Sequence, residues 1–347
     1  MKDTFNKIKT YFSTHKLTKQ ILLIFFGIVV VCAIISAILC FSKTQNTSET
    51  EFYIYPNTTY KQLCDSLEAK NIVNTKHFAF KTYSKAFSLK QNIKTGYYII
   101  DKKMPVLKLV KHLRNGEQEP IRVTIAYARS VDEFANLVTQ KLLMTKEDLS
   151  SEIDSLGYEY PTMVYCDVLP DTYEFYWTVS AKDLLKKLKK YADRWWDKKE
   201  KDLEKSGFSR TEIVTLASIV NEETNYEKEK KRIAGVYVNR LKIGQALQAD
   251  PTVKFALGDF SIRRITSDML KTDSPFNTYK ETGLPPAPIC IPTISSLKAA
   301  LKYEKHDYYY FCAKEDFSGS HNFAKTFEQH QKNAKKYHKA LNARNIK

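Results

Sequence analysis

Two adjacent carboxylates, Glu222 and Glu223, end an apolar stretch of the chain and are the first candidates for acid–base chemistry. At about 100° per residue, the apolar positions before them cluster on one broad face of a predicted helix. Glu223 falls near the edge of that face, and Glu222 projects almost opposite it. A carboxyl group that loses hydration favours its neutral form, so its pKa rises and it can donate a proton near neutral pH. The alternative is a carboxylate that bends out to solvent.

Three polar segments downstream of this helix could bind a sugar polymer. They span residues 239–252, 275–288 and 319–323, and they combine amides, hydroxyls, a carboxylate and aromatic rings in turn-rich chain. Amides and carboxylates hydrogen-bond to ring hydroxyls, and aromatic faces pack on the apolar faces of sugars. Ordinary turn chemistry is the alternative for any one segment. Three such segments in one domain, after a half-buried glutamate, predict a carbohydrate cleft.

The bulk composition limits the other classes of function. The chain has 347 residues, 43% of them hydrophobic, which is enough for a membrane anchor and two domains. Its formal net charge is +16, but the lysines are spread along the chain without a nucleic-acid recognition motif, so we expect no nucleic-acid partner. The four cysteines outside the N-terminal apolar run lack metal-ligand spacing. We therefore expect no metal site, and we favour free thiols over disulfides, which the pattern cannot assign.

The N-terminal segment predicts a membrane anchor. Residues 1–20 carry five lysines against one aspartate, and residues 21–41 contain no charged side chain over 21 positions. A helix of that length spans about 30 Å, the thickness of a bilayer core. A cleaved signal peptide is the main alternative, but the apolar run exceeds the usual signal length and no small-residue cleavage site follows. The basic flank predicts that residues 1–20 are cytoplasmic and that residues 42–347 lie outside.

The remainder of the chain predicts a mixed α+β protein. Residues 42–51 are polar and predict a short linker. Residues 52–118 show strand and helix spacing in the order β-α-α-β-α, which is typical of a small α+β domain. Residues 119–347 predict a larger α+β domain. Within it, residues 182–205 predict one long lysine-rich helix, which precedes the helix that carries the two glutamates.

Several motifs, in chain order, resemble those of one family. The central run is LASIVNEET at Leu216–Thr224. The others are Leu169–Tyr173, Ala234–Gly244, Leu247–Val253, Asn277–Tyr279, Gly283–Ile289, Ser296–Ala300 and His321–Phe323. Together they resemble the YceG-like (MltG) endolytic murein transglycosylases over roughly residues 165–340. Upstream, Gly96, Tyr97 and the helix end at Gly116 resemble the LysM-like module of that family, and the single N-terminal span is similar to its layout.

The resemblance implies an enzyme anchored in the bacterial inner membrane with its catalytic domain in the periplasm. It would cleave the bond from N-acetylmuramic acid to N-acetylglucosamine in peptidoglycan, leaving 1,6-anhydro ends, and no cofactor or metal is implied. The implied partners, beyond peptidoglycan strands, are peptidoglycan synthases and the division or elongation machinery. In that family the catalytic glutamate directly precedes a threonine. The glutamate at this position of the chain is Glu223, which precedes Thr224.

The chain departs from the family pattern at three places. Asn221 replaces a first glutamate, Thr293 stands where glycine is usual, and residues 126–129 lack the usual glycine-containing turn. We expect the loss of the carboxylate at position 221 to lower the pKa of Glu223 somewhat, because one nearby negative charge is absent.

Five residues of the polar segments are candidates for contact with the substrate: Gln248, Asp250, Asn277, Tyr279 and His321. Asp250 could stabilise developing positive charge or bind a sugar hydroxyl, but capping of a turn before Pro251 is equally compatible with its position. Two other functions remain open. One is a non-catalytic, membrane-anchored peptidoglycan-binding or division scaffold, and the other is a glycan-strand hydrolase in which Asp250 helps to activate water.

Overall fold

The computed structural model describes residues 2–262 and 264–343, and it begins with one long helix, α1 (Lys2–Phe41). The section Gln20–Phe41 has a mean hydropathy of 3.2 and is, within the described residues, the one helix long and apolar enough to cross a membrane. This agrees with the predicted single span at residues 21–41.

The first of two compact units comprises Met1–Pro120 with Tyr176–Thr178. After α1, its elements are β1 (Thr50–Ile54), α2 (Tyr60–Ala69), α3 (Phe78–Ala86), a 3₁₀ turn (Leu89–Gln91), β2 (Gly96–Ile100) and α4 (Val106–Asn115). The two strands pair antiparallel, with Thr50 opposite Ile100 and Ile54 opposite Gly96. The observed order of elements is the predicted β-α-α-β-α order.

Residues 42–46, predicted as part of a linker, pack against this unit. The backbone N–H of Thr44 donates to Met104 O at 2.8 Å, and that of Gln45 donates to Ile72 O at 2.7 Å. The Asn46 side chain is buried and donates to the carbonyls of Ile100 and Asp101, both at 3.1 Å. The prediction of a free linker, which rested on polar composition, is wrong for residues 42–46. Their polar groups form hydrogen bonds with the backbone of the folded unit and not with water.

The second unit comprises Ile121–Phe175 with Val179–Lys347. Its helices and strands are β3 (Pro120–Ile125), α5 (Val131–Thr139), α6 (Lys146–Ser155), β4 (Asp171–Tyr176), α7 (Ala181–Asp197), α8 (Glu200–Ser206), α9 (Arg210–Glu223), α10 (Lys230–Lys242), α11 (Asp250–Leu257), α12 (Ile294–Leu301), β5 (Tyr310–Ala313), β6 (His321–Ala324) and α13 (Phe327–Ala343). Strand β3 pairs with β4, and β5 pairs antiparallel with β6. In the part of the chain that the structure describes, both classes of element occur, with 52% helix and 10% strand, which confirms the mixed class.

Helix α9 forms the centre of this unit. Ser209 caps its N-terminus in a capping box with Glu212, and every residue from 213 to 220 is buried. The Ser218 hydroxyl donates to Thr215 O at 2.7 Å and accepts the Ile289 N–H at 3.0 Å. The prediction of a single apolar face is therefore wrong, since α9 is enclosed on all sides and its polar residues find internal partners.

Three local predictions also differ from the structure. Residues 182–205 form two helices, because the chain turns where Lys199 N–H donates to Trp196 O at 2.7 Å, three residues back instead of four. Asp250, predicted in irregular chain, begins α11 behind the buried Ala249. His321 and its neighbours lie on β6, because their pairing with β5 supplies backbone partners that local sequence does not reveal. All six cysteines are free thiols, including the four outside the N-terminal apolar run for which free thiols were favoured.

Candidate active site

The C-terminal end of α9 opens on a polar cavity of about 300 Å³ in the second unit. Glu223, the last residue of α9, lines this cavity together with Tyr237 and Arg240 of α10. Tyr237 and Arg240 are three residues apart, so helical geometry directs both side chains to the same side of α10. The hairpin of β5 and β6 and the first turn of α13 also contribute to the lining.

Loss of hydration makes Glu223 a weaker acid than an exposed glutamate. Desolvation raises the pKa of its carboxyl group to about 7, and the negative charge of Asp250 acts in the same direction. The Tyr237 hydroxyl donates to Glu223 Oε1 at 2.7 Å and opposes the rise, as does the positive charge of Arg240. The negative end of the α9 macrodipole also disfavours a carboxylate at this position. A substantial share of Glu223 is therefore protonated at neutral pH.

Glu222 has different surroundings. Its Oε1 accepts the Tyr127 hydroxyl at 2.6 Å and faces Asn221 Nδ2 at 3.4 Å, while Cys290 lies against Asn221. Glu222 is not among the residues that line the cavity of Glu223. The two glutamates thus point to different places, as the helical spacing predicted, although neither side is open solvent.

Four of the five substrate-contact candidates line the cavity with Glu223: Gln248, Asp250, Tyr279 and His321. The Tyr279 hydroxyl donates to Asp250 Oδ1 at 2.6 Å, which orients that carboxylate. The Asp250 carboxylate makes no cap to the backbone of α11 in the part of the chain that is described. Gln248 adopts the left-handed region at φ 50°, which is uncommon for a residue other than glycine and is found where function requires a special backbone shape.

Asn277 is the candidate that the structure does not bring into the cavity. It is fully buried, and its Nδ2 donates to the carbonyls of Leu270 and Thr272 at 2.9 and 2.7 Å. Its side-chain oxygen accepts the Tyr279 N–H at 3.1 Å. Asn277 therefore shapes the loop that presents Tyr279, and its amide has no group left for direct contact with a ligand.

Several lining residues were not selected from the sequence: Tyr237, Arg240, Tyr310, Phe311 and His330. Tyr237 and Arg240 lie three residues apart, a spacing that places both side chains on one side of a helix and could have indicated their common role. Tyr310 and His330 stack with ring centroids 5.4 Å apart, on elements that the sequence did not predict. Within residues 2–262 and 264–343, no group of three His, Cys, Asp or Glu side chains is arranged to hold a metal ion.

The sequence from residue 52 to 336 matches the model of the YceG-like family. The chain belongs to the YceG-like family. Among its YceG-like relatives, the endolytic murein transglycosylase of Bacillus subtilis strain 168 is 31% identical over 293 residues, which cover 78% of this chain and 80% of that protein. The endolytic murein transglycosylase of Streptococcus pneumoniae serotype 2, strain D39, is 25% identical over 308 residues, and the match covers 79% of this chain but only 55% of that protein.

A solved structure of the family is also similar. The 2.6 Å crystal structure of a YceG-like protein from Listeria monocytogenes aligns with a TM-score of 0.53 at 31% sequence identity. The match covers 83% of this chain and 99% of the Listeria chain. The likeness therefore extends well beyond the residues around the cavity.

Two of the departures from the YceG-like pattern lie in contact with one another. Asn221 Oδ1 accepts the backbone N–H of Thr293 at 3.2 Å and the Thr293 hydroxyl at 2.9 Å. It also accepts the Ser296 hydroxyl at 3.0 Å. Thr293 is the N-cap of α12. The asparagine and the threonine thus form one polar unit that joins the end of α9 to the start of α12.

We expect Asn221→Ala to lower the free energy of unfolding by about 2 kcal/mol, because three donors lose a shared, partly buried acceptor. Thr293→Ser keeps the hydroxyl and the cap, so it should cost less than about 0.5 kcal/mol. Urea unfolding of the full chain in detergent, followed by tryptophan fluorescence, measures both. Equal losses for the two variants would contradict the assigned role of the Asn221 oxygen.

Proposed function

We propose that this chain is an endolytic murein transglycosylase that cleaves peptidoglycan strands between N-acetylmuramic acid and N-acetylglucosamine and leaves 1,6-anhydro-muramyl ends. The observation that carries the proposal is Glu223, a half-buried carboxyl group with a pKa raised by desolvation to about 7, which lines a polar cavity. Relatives named endolytic murein transglycosylases, from Bacillus and Streptococcus, support the same activity.

In the proposed mechanism one carboxyl group serves twice. Protonated Glu223 donates its proton to the glycosidic oxygen, the bond to C1 of the muramyl sugar breaks, and positive charge develops on that sugar. The resulting carboxylate then accepts the proton of the C6 hydroxyl as that oxygen attacks C1. Glu223 regains its proton, and no water is consumed. An ordinary glycosidase would instead need a second carboxylate as nucleophile or base.

The other lining residues have supporting roles in this proposal. Asp250, oriented by Tyr279, carries the negative charge that would stabilise the developing positive charge on the sugar. Gln248 and His321 supply hydrogen-bonding groups to sugar hydroxyls and acetamido groups. Tyr310 and Phe311 supply aromatic faces in the same cavity, against which a pyranose ring can pack.

Product chemistry tests the proposal. The full chain in detergent is incubated with purified glycan strands, and the new ends are identified by mass spectrometry. Lytic cleavage gives muramyl ends that are one water lighter than the reducing ends of hydrolysis. Reducing ends would instead support a hydrolase that uses Asp250, and binding to strands without new ends would support a wall-binding scaffold.

The pH dependence of the reaction follows from the protonation of Glu223. We expect kcat/KM to be constant below about pH 7 and to fall tenfold per pH unit above it, because only the protonated acid is competent. In Tyr237→Phe the carboxylate loses a hydrogen bond that stabilises its charged form, so the fall should begin about one pH unit higher. Initial rates across pH 5 to 10 measure both profiles. A fall that begins at lower pH in the variant would refute this assignment.

We also propose the arrangement of the chain around this activity. Helix α1 anchors the protein in the cytoplasmic membrane as a single span, with the lysine-rich N-terminus inside and the remainder outside. Residues 52–118 act as a LysM-like module, and residues 119–347 act as the catalytic domain. Peptidoglycan synthases and the division or elongation machinery are the proposed partners. The glycan strands that synthases produce are the proposed substrate of this chain.

A further inference from the structure

His321 of the cavity forms a pair with a buried glutamate to which the proposed mechanism gives no role. Glu229 lies at the N-terminal boundary of α10 and is 7% exposed. Its Oε2 lies 2.9 Å from His321 Nδ1, and both of its carboxylate oxygens accept the His321 backbone N–H, at 3.0 and 3.3 Å. The carboxylate therefore holds both the main chain and the ring of one residue.

This contact determines which nitrogen of the His321 ring carries the proton. A carboxylate only accepts hydrogen bonds, so Nδ1 must be the protonated nitrogen at the 2.9 Å contact with Glu229. In a neutral imidazole the other nitrogen, Nε2, then has a free lone pair. Nε2 makes no hydrogen bond within residues 2–262 and 264–343, and His321 lines the cavity.

Aromatic neighbours keep the ring in this orientation. Phe311 meets the His321 ring edge-to-face, with centroids 5.4 Å apart at 85°, and Phe323 lies 6.4 Å away. Rotation of the ring to exchange its nitrogens would break the bond to Glu229. The ring is thus fixed by packing on one side and by the carboxylate on the other.

We propose that Glu229 is a positioning residue that holds His321 with the proton on Nδ1 and so presents Nε2 as a hydrogen-bond acceptor to the saccharide in the cavity. The identity of the saccharide rests on the proposed function, but the geometry of the pair does not. The acceptor complements its neighbours, because Arg240 only donates and Glu223 begins the reaction as a donor. Nε2 accepts a sugar hydroxyl or an acetamido N–H, which are the donors that such a ligand carries.

The protonation of the ring can be measured without any reaction. The full chain is labelled with ¹⁵N-histidine, placed in lipid vesicles and studied above pH 7 by solid-state NMR. The chain has seven histidines, whose NMR signals would overlap. The His321 signals are therefore identified by their loss in His321→Gln. We expect a protonated Nδ1 and an unprotonated Nε2. An unprotonated Nδ1 would overturn the proposal.

Variants test whether Glu229 is the cause. Glu229→Met has no acceptor and should release the ring, so a signal from protonated Nε2 should appear. Glu229→Gln retains an oxygen that can accept from Nδ1–H and should preserve the wild-type signals. The control is Glu227→Met, which removes a nearby carboxylate bonded to Lys230 and should leave His321 unchanged. If Glu229→Met does not change the His321 signals, Glu229 does not position the ring.

Strand cleavage separates positioning from a purely structural role. His321→Phe removes the acceptor and should lower kcat/KM about tenfold, the effect of one hydrogen bond. Glu229→Met should have a similar effect alone but no further effect in the His321→Phe background, because it acts through that ring. A full additional loss in the double variant would show that Glu229 merely supports the fold. If the wild type cleaves no strands, the proposed function fails, and the NMR result still decides the pairing.

Discussion

Replacing Glu223 by glutamine is expected to lower kcat for strand cleavage by about 10²- to 10⁴-fold, the usual contribution of a general acid–base group. Glutamine has nearly the same shape and can still accept the Tyr237 hydroxyl, so the cavity should keep its form. It cannot give up a proton to the glycosidic oxygen, nor take one from the C6 hydroxyl. Because one carboxyl group serves both halves of the proposed reaction, its replacement removes the acid step and the base step together.

The matched control is Glu222→Gln, one residue earlier on the same helix. Its carboxylate accepts from Tyr127 and lies outside the cavity, so we expect a change of less than about tenfold in kcat. Mass spectrometry of the products and thermal unfolding of each variant distinguish lost chemistry from lost structure. If Glu222→Gln abolishes cleavage and Glu223→Gln does not, the acid has been assigned to the wrong residue.

Replacing Gly235 by alanine should cause the largest loss of stability, about 3 kcal/mol in the free energy of unfolding. Gly235 lies in the middle of α10, where an added Cβ would overlap the Glu304 carbonyl oxygen and come within 2.7 Å of His306 Nε2. That ring nitrogen is already engaged with Arg232 O at 2.9 Å, and Asn239 Nδ2 donates to His306 O at 2.7 Å. Residues 304–306 cannot move away from the added Cβ without breaking these hydrogen bonds, so the steric overlap in the Gly235→Ala variant would persist.

Lys231→Ala, at an exposed position of the same helix, is the control for Gly235→Ala. It should change the free energy of unfolding by less than about 0.5 kcal/mol. Urea unfolding of the full chain in detergent measures both, and the Gly235→Ala midpoint should fall without a change in slope. A Gly235→Ala variant as stable as the wild type would mean that the segment after Glu304 adapts freely.

The sequence singled out the glutamate that lines the cavity, but it did not reveal the surroundings of that glutamate. Helical spacing separated Glu223 from Glu222, because side-chain direction within one helix depends only on local geometry. The partner of Glu222, however, is Tyr127, which lies 95 residues away in the chain. Likewise, the Glu229 and His321 pair joins positions 92 residues apart. Contacts of this kind depend on how helices and hairpins pack, and no short stretch of sequence encodes them.

Asn277 shows the opposite error. Its amide, between turn residues in a motif shared with a sugar-cleaving family, suggested contact with the ligand, and the same polarity instead satisfies three backbone groups of its own loop. The β5–β6 hairpin was missed for a related reason, since its strands of four residues each are too short for a clear alternating pattern.

The packing of residues 42–46 determines how far the part of the chain that follows α1 could extend from the end of that helix. A free linker of the ten residues 42–51 would let its two ends lie about 17 Å apart on average and would vary that distance widely. With Thr44, Gln45 and Asn46 bonded into the first unit, little of that slack remains. In the proposed orientation, the part of the first unit that follows α1 therefore stays at a nearly constant height above the bilayer. The short connection after α1 would therefore act as a spacer of nearly fixed length between the bilayer and the folded part of the first unit.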